Sequence, residues 1–221
     1  MNTRKICVFD FETDGTNPHE CNPVQLGALM IDTRKLVIVP DSEFCTNIQP
    51  PGIIKPEEYL TEGRKDTIAW HAKNYGVTSE DIIQRWTEAV DEKTAWQLFL
   101  TYFKKYNPGK TMFSAPMLGG MNIRGFDVRI FERLMKKYGT SKFYWPRDQA
   151  DLMDWCFLWL ESLEEPKKYN MEVLRKFFGI STKGSHDALK DVRDTAQLLI
   201  KFMQLTRKYA SGVQFKGACK T

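Results

Sequence analysis

Two acidic side chains, Asp10 and Glu12, follow a short apolar run near the start of the chain. The run, residues 6–9, is rich in β-forming residues, which is typical of a strand buried on both faces. Residues two positions apart on a strand point to the same face, so the two carboxylates are expected to project together. Two carboxylates at a buried strand end are costly unless a partner compensates them. A hard divalent cation, which prefers oxygen ligands, is such a partner.

Two more aspartates and a histidine lie at the ends of predicted elements. Asp127 falls at the start of a predicted helix, and Asp191 falls in the first turns of the last long helix. His186 precedes Asp191 on the approach to that helix, where Ser185 is a candidate cap. Ligand sites of α/β sheets form where element ends meet at one edge of the sheet. We therefore expect these side chains to converge on one acidic site.

The elements that position these residues follow from the hydrophobic pattern. Apolar runs with β-forming residues predict strands at residues 6–9, 24–31, 36–48, 111–118 and 142–145. Apolar residues at helical spacing predict helices at residues 91–106, 126–138, 152–160, 171–178 and 188–209. Strands come first and then alternate with helices, which predicts an α/β fold: a mixed sheet with helices on its faces.

The order of elements indicates one domain over residues 1–210, followed by a C-terminal tail at 211–221. Four turn-forming residues interrupt the pattern after the first strands: Pro50, Pro51, Gly52 and Pro56. Residues 50–90 mix short helical segments with turns, so we interpret them as an insertion or lid. The sequence contains no internal repeat and no low-complexity linker.

Three motifs resemble those of the DEDDh family, the DnaQ-like 3′–5′ exonucleases with an RNase H-like fold. The first is F-D-F-E-T-D-G at residues 9–15, the second is G-M-N-I-R-G-F-D at 120–127, and the third is H-D-A-L-K-D at 186–191. In addition, Y-G-V-T at residues 75–78 is similar to an H-G-I-T turn common in the family. Each motif alone is a weak signal, but all three in order and in the predicted structural context are a specific one. The histidine five positions before the last aspartate favours the histidine branch of the superfamily.

The resemblance implies a metal-dependent 3′–5′ exonuclease on an RNase H-like, mixed five-stranded sheet flanked by helices. It implies two Mg²⁺ or Mn²⁺ ions per active site, with Asp10 bridging both. Glu12 and Asp191 would complete the site of the ion that holds the attacking water, and Asp127 would position the second ion. His186 would be the general base, since imidazoles titrate near neutral pH. The products would be nucleoside 5′-monophosphates.

A substrate site is also implied by the resemblance. In the family, backbone amides just after the first motif recognise the terminal 3′-hydroxyl, and Asn122 of the second motif is a further substrate-binding candidate. Many relatives carry an apolar wedge where this chain has Thr16, so we expect the wedge at Phe11 or within residues 50–90. The substrate-binding candidates after the first motif are Thr13, Asp14, Gly15 and Thr16.

The same residues are compatible with more than one function. We favour DNA with single-stranded or frayed ends, because an insertion in the minimal fold could hold a longer strand. The same chemistry on RNA or short oligonucleotides is the main alternative, since contacts to the 2′-position are not readable from a sequence. An inactive nucleic-acid-binding module should lack a carboxylate or the histidine, and all five residues are present. A structural calcium site would not explain His186.

Composition is compatible with these interpretations and excludes others. The 221 residues are 42% hydrophobic and 27% charged, as expected for a globular protein with a real core. The net charge of +4 excludes a strongly basic nucleic-acid coat. The five cysteines are irregularly spaced and lack a C-x-x-C pair, which argues against a disulfide framework or a zinc site. A reducing, cytoplasmic location is therefore expected.

Membrane association is not expected from the sequence. The apolar run at the N-terminus is too short for a signal peptide, and no stretch approaches the length that spans a bilayer. A polymerase-sized region is also missing, so a proofreading role would require a separate polymerase or replication partner.

Overall fold

A mixed β-sheet runs through the centre of the protein in a computed structural model that describes residues 4–184 and 186–214. Its strands are β1 (Lys5–Thr13), β2 (Pro23–Asp32), β3 (Val37–Ile38), β4 (Phe44–Gln49), β5 (Val90–Asp91), β6 (Met117–Gly120) and β7 (Gln149–Asp151). The strand order is β5-β4-β2-β1-β6-β7, and β3 pairs with β2 beside this path. Strands β1, β2 and β4 pair antiparallel, whereas β6 and β7 run parallel to β1.

Helices pack on the faces of the sheet, and three further helices follow one another in the segment between β4 and β5. In the described part of the chain they are α1 (Pro56–Tyr59), α2 (Glu62–Tyr75), α3 (Ser79–Thr87), α4 (Glu92–Lys105), α5 (Asp127–Lys137), α6 (Leu152–Leu160), α7 (Met171–Phe178) and α8 (Ala188–Ala210). Helices α6 and α7 match their predicted bounds, and α4, α5 and α8 differ by at most one residue at either end. The predicted mixed α/β sheet flanked by helices is confirmed.

The predicted strand count and two strand positions were wrong. Within residues 4–184 and 186–214 the sheet has seven strands instead of five, because β3 and β5 are two-residue strands too short for any periodicity. Residues 142–145 form no strand; Tyr144 is buried in a loop against the core. The strand of this region is β7, where polar Gln149 and Asp151 hide the pattern. Of the strand predicted at residues 111–118, only the end is extended, since Ser114 bonds within a turn.

The two faces of β1 explain how the first motif is presented. Cys7, Phe9 and Phe11 belong to the core cluster that α4 and α5 cover. Ile6 and Val8 belong to the opposite cluster, to which α6 and α8 contribute. Because side chains alternate between faces along a strand, Asp10 and Glu12 continue the second face, toward α8.

Residues 50–90 contain α1, α2 and α3 around a small apolar cluster to which Val24 of β2 also contributes. Helix α2 ends at Gly76, which adopts φ +67°, and α3 begins with a capping box between Thr78 and Asp81. The buried members of the cluster are Val24, Ile53, Tyr59, Ile68, Ala72, Ile82 and Trp86. The lid role of this segment stays a prediction.

The last helix, α8, is capped at its N-terminus by the side chain of Asp187. The Asp187 carboxylate accepts a hydrogen bond from the backbone N–H of Lys190 at 3.1 Å. The suggested cap, Ser185, lies outside the described residues, as does Cys219 of the five cysteines. Among the helices described above, none has the length and apolar character that crossing a bilayer requires.

Candidate active site

Asp10 and Glu12 begin the site at the end of β1. Glu12 is only 8% exposed. Burial raises the pKa of Asp10 well above its usual range, and the neighbouring carboxylates of Asp127, Glu12 and Asp191 raise it further. Burial likewise raises the pKa of Glu12, again with help from Asp191 and Asp127. These mutual effects show that four carboxylates from three separate elements share one low-dielectric region.

Asp127 reaches this region from the opposite side of the sheet. It is the first residue of α5 and is 3% exposed. Its Oδ1 accepts a hydrogen bond from the backbone N–H of Phe11 at 2.9 Å, which ties the helix start to the first motif. Burial raises the pKa of Asp127 to about 7, although the Phe11 N–H opposes this rise.

Asp191 is held in place by the close approach of α8 to β2. Gly27 makes this approach possible, because a Cβ there would lie 2.6 Å from the carbonyl carbon of Ala188. The Gln25 side chain reinforces it by accepting the Ala188 N–H at 2.9 Å. Asp191 therefore stands one turn into α8, facing the carboxylates of β1. Burial raises its pKa, and the Arg175 guanidinium limits the rise.

His186 completes the group from the loop before α8. Its backbone adopts φ +69°, and its N–H donates to Asp191 Oδ1 at 3.2 Å. Potential ligand atoms of Glu12, His186 and Asp191 all lie within 4.8 Å of one another. The imidazole is thus close enough to the acidic group either to share a cation with it or to exchange a proton with a water beside it.

The donor set fits a hard divalent cation. Carboxylate oxygens are the ligands that Mg²⁺ and Mn²⁺ prefer, and here burial and the repulsion between neighbouring carboxylates raise their pKa values. A cation would favour their ionised forms and remove that repulsion. The candidate metal ligands are therefore the four carboxylates predicted from the motifs.

Arg175, which sequence reasoning missed, is a buried cation beside this site. It is 1% exposed, and its Nη2 donates to Asp191 Oδ1 at 2.6 Å. Its Nε donates to Asp194 Oδ2 at 2.7 Å. The local sequence of α7 gives no sign of this role, because an arginine on a helix is usually solvated.

A cleft of about 430 Å³ adjoins the acidic group. Predicted substrate residues Thr13, Gly15 and Thr16 line it, together with Phe11 and Phe126 on one side. The 50–90 segment supplies the other side through Asp66, Thr67, Trp70 and His71. The aromatic rings suit a flat base, and the backbone of residues 13–16 lies beside the acidic group.

The remaining two substrate candidates do not line this cleft. Asp14 is 2% exposed, and its carboxylate accepts hydrogen bonds from Tyr59 Oη at 2.6 Å and from the Asn22 N–H at 2.6 Å. Arg64 Nε lies 3.2 Å from the same carboxylate. Asp14 therefore anchors α1 and α2 to the first motif. Asn122 is exposed at φ +54°, and its N–H donates to Asp151 at 2.9 Å.

Helix α2 also contributes residues to which the sequence analysis gave no role. The ring Nε2 of His71 lies 2.9 Å from the Thr13 carbonyl oxygen. Because a carbonyl can only accept, Nε2 carries the proton, and burial lowers the pKa of His71 in agreement with a neutral ring. Trp70 and Tyr75 contact His186 itself. No local pattern could have indicated these contacts, because they join segments far apart in the chain.

The strand order and the helices that pack on both faces of the sheet give the protein an RNase H-like fold. Escherichia coli Exonuclease I in complex with a dT13 oligonucleotide has this architecture, with a TM-score of 0.69 and 19% identity. That match covers 95% of this chain and 43% of Exonuclease I. Cell-death related nuclease 4 (CRN-4) matches with a TM-score of 0.66 and 14% identity, over 92% of this chain and 65% of that protein.

A sequence relative agrees with the structural comparison. DNA polymerase III subunit epsilon of Aquifex aeolicus (strain VF5) is 34% identical over 89 residues. The match covers 39% of this chain and 41% of that subunit, so less than half of the relative is spanned. No family model matches the chain. Together the comparisons confirm the resemblance to DnaQ-like exonucleases that the three motifs predicted, and they confirm the fold.

Proposed function

We propose that this protein is a metal-dependent 3′–5′ exonuclease that releases nucleoside 5′-monophosphates from single-stranded or frayed DNA ends. The observation that carries the proposal is the convergence of the four motif carboxylates beside the His186 imidazole, next to a nucleotide-sized cleft. A lone acidic cluster would support only cation binding. The histidine and the cleft add a proton acceptor and a place for the terminal nucleotide.

Divalent cations would be held by Asp10, Glu12, Asp127 and Asp191. We propose Mg²⁺ or Mn²⁺ and two ions, the number implied by the family resemblance. When bound, such cations stabilise the negative charge that develops on the attacking and leaving oxygens of a phosphodiester.

The protein's own residues would supply the proton transfer. The His186 ring would accept a proton from the attacking water, since it lies beside Glu12 and Asp191. The imidazolium that forms would be stabilised by those two carboxylates. The proton would then leave to solvent, to which the partly exposed His186 has access.

Recognition of the 3′ end would take place in the cleft. The terminal base would stack against the rings of Phe11, Phe126 and Trp70. The backbone at Thr13 and Gly15 would contact the terminal sugar and its 3′-hydroxyl. A DNA substrate is supported by the oligonucleotide complexes of Exonuclease I, which has the same fold.

The test is digestion of matched substrates carrying a 5′ label. Single-stranded DNA, duplex DNA and RNA of one sequence should be incubated with Mg²⁺, with Mn²⁺ or with EDTA. We expect a ladder that shortens from the 3′ end on single-stranded DNA and that EDTA abolishes. Faster digestion of RNA would replace the DNA assignment with an exoribonuclease, and internal cleavage or no cleavage would contradict the proposal.

A matched pair of variants controls this experiment. Asp10→Asn should abolish hydrolysis while leaving the fold intact. Asp32→Asn changes an aspartate at the C-terminal end of β2, which pairs with the start of β1 and not with the end that carries Asp10 and Glu12. There the carboxylate accepts the backbone N–H groups of Arg34 and Lys35. An asparagine can keep those bonds, so Asp32→Asn should digest DNA like the wild type. Association with a separate polymerase stays a prediction.

A further inference from the structure

Helix α2 contacts the catalytic loop at two points. The indole ring of Trp70 lies 4.4 Å from the His186 imidazole, measured between ring centroids, with an angle of 65° between the planes. The hydroxyl of Tyr75 donates to the backbone carbonyl of His186 at 2.7 Å. One contact therefore touches the ring of His186, and the other touches its backbone.

The backbone of His186 needs such support. Its φ of +69° lies in the left-handed region, which is unfavourable for a residue that carries a Cβ. Its N–H is held by Asp191 Oδ1 at 3.2 Å, and its carbonyl is held by Tyr75. Gly184, two positions earlier, has φ +79° and nothing within 4 Å of where a Cβ would stand. Gly184 therefore does not fix the conformation of this loop by steric contact. The hydrogen bonds from Tyr75 and to Asp191 stabilise it instead.

Tyr75 is itself fixed by its neighbours. The Tyr75 ring stacks on the His71 ring, with their centroids 6.0 Å apart. The guanidinium of Arg85, a residue of α3, lies 4.9 Å from the centroid of the Tyr75 ring. His71 in turn bonds the Thr13 carbonyl at 2.9 Å. Helix α2 therefore connects the end of β1, which carries the first motif, to the loop that carries the histidine of the third.

We propose that Tyr75 and Trp70 are positioning residues that hold the His186 imidazole against Glu12 and Asp191. The inference rests on the proposed function, because it gives these residues a purpose only if His186 takes part in catalysis. Tyr75 fixes the carbonyl end of the residue, and Trp70 limits rotation of the ring. Neither needs to touch the scissile phosphate to affect the reaction.

The first test is Tyr75→Phe, which removes one hydroxyl and keeps the ring. We expect kcat for release of the 3′-terminal nucleotide to fall about 3- to 10-fold, the range that one hydrogen bond supports. KM for a single-stranded DNA oligonucleotide should stay within about twofold, because the substitution leaves the contacts that bind the substrate in its ground state intact. A parallel rise in KM with unchanged kcat would overturn the proposal.

A double-mutant cycle separates positioning from support of the fold. In a His186→Ala background there is no imidazole to position, so Tyr75→Phe should cause no further loss of single-turnover rate. In the same His186→Ala background, Trp70→Leu should also cause no further loss of single-turnover rate. Any weaker binding of DNA in the cleft would appear separately, in KM. If Tyr75→Phe costs the same factor in both backgrounds, its effect does not pass through His186 and the proposal is wrong.

A matched control is available on α4. The Tyr102 hydroxyl donates to the Ser42 carbonyl at 2.7 Å, which is the same kind of bond at a distance from the site. Tyr102→Phe should lower the thermal midpoint about as much as Tyr75→Phe while leaving kcat unchanged. A wild type that releases no 3′ nucleotides would refute the proposed function and with it this inference. An active wild type with equal kcat in the two tyrosine variants would refute the inference alone.

Discussion

Arg175 and Asp191 form a buried ion pair in which the guanidinium Nη2 donates to the carboxylate at 2.6 Å. The arginine also bonds Asp194 at 2.7 Å, so its guanidinium pairs with two acidic groups of α8, and Lys190 gives Asp194 a second cationic partner. Removing one partner of such a group leaves uncompensated charge in a region of low dielectric. Because Asp191 is also a proposed metal ligand, the stability of this pair should depend on metal.

Arg175→Met should therefore destabilise the metal-free protein by about 3–5 kcal/mol. Part of that loss should be recovered with saturating Mn²⁺, because a bound cation would neutralise Asp191 in place of the guanidinium. Urea unfolding monitored by circular dichroism, with EDTA or with Mn²⁺, gives both values. A loss that Mn²⁺ leaves unchanged would show that Asp191 does not bind the ion.

Arg193→Met is the control for that measurement. Arg193 lies on α8 and pairs with Glu43 at 2.6 Å, but both side chains are 42% exposed. Exposed pairs contribute about 0–1 kcal/mol, because solvent screens them. The Arg193 variant should therefore unfold almost like the wild type in either solution.

Asp127→Asn should make the stability of the metal-free protein less sensitive to pH. Burial raises the pKa of Asp127 to about 7 in the folded state, above the usual value of 3.8. A raised carboxyl pKa contributes stability that is complete below the unfolded value and is lost as pH rises through the folded value. The asparagine variant should consequently gain stability over the wild type at pH 8, with a smaller gain at pH 5.

Urea titrations at both pH values in EDTA would measure this difference. Asp32→Asn supplies a contrast, since the backbone N–H of Lys35 lowers the pKa of Asp32. Its carboxylate contributes stability above the unfolded pKa that is lost only as pH falls through the folded value, so Asp32→Asn should change stability equally at pH 5 and pH 8. A gain for Asp127→Asn that is larger at pH 5 than at pH 8 would contradict the buried, metal-free carboxyl.

The fold could be predicted wherever a single element carried its own pattern. The apolar stripe along α8 was sufficient to predict that helix, and the apolar run in β1 was sufficient to predict that strand. The strand at Gln149–Asp151 could not be found, because its pairing with β6 is decided by neighbours and not by its own three residues. The strand predicted at residues 142–145 is absent because a buried aromatic residue such as Tyr144 packs equally well from a loop.

The candidate site divides in the same way. Asp10, Glu12 and Asp191 could be found because short motifs keep their spacing along the chain. Arg175 and Tyr75 could not, since their contacts depend on how distant elements pack. The Tyr75–His186 hydrogen bond, for example, joins residues 111 positions apart. The local sequence around either residue cannot indicate such a pair, because the contact forms only when α2 packs against the loop before α8.

Gly27→Ala tests whether the approach of α8 to the sheet sets the site. A Cβ at residue 27 would lie 2.6 Å from the backbone of Ala188, and neither side of that contact is a flexible side chain. Overpacking of this kind costs about 1–3 kcal/mol. Because Asp191 and His186 flank Ala188, kcat should fall as well.

Gly63→Ala is the matched substitution at an open position. Gly63 lies in the first turns of α2, and no atom is within 4 Å of its would-be Cβ. Alanine should raise the free energy of unfolding by roughly 0.5–1 kcal/mol there, since glycine loses more backbone entropy on folding. Equal stability and equal turnover in the two variants would mean that α8 can shift without disturbing the carboxylates.

His186→Ala decides between two uses of the imidazole. One of its ring nitrogens is close enough to Glu12 and Asp191 to share a cation, and also close enough to act on a water beside them. As a general base, its loss should slow nucleotide release by about 10²–10⁴-fold. The stabilisation of the protein by Mn²⁺ should then be unchanged, because the carboxylates that hold the ion remain.

The two readouts separate the possibilities. Thermal unfolding with and without Mn²⁺ reports ion binding through the stabilisation that a ligand gives the native state, and single-turnover digestion reports chemistry. Asp10→Asn should lose both the Mn²⁺ shift and the activity. If His186→Ala also loses the shift, the histidine is a ligand; if it keeps both the shift and the rate, the attacking water loses its proton without His186.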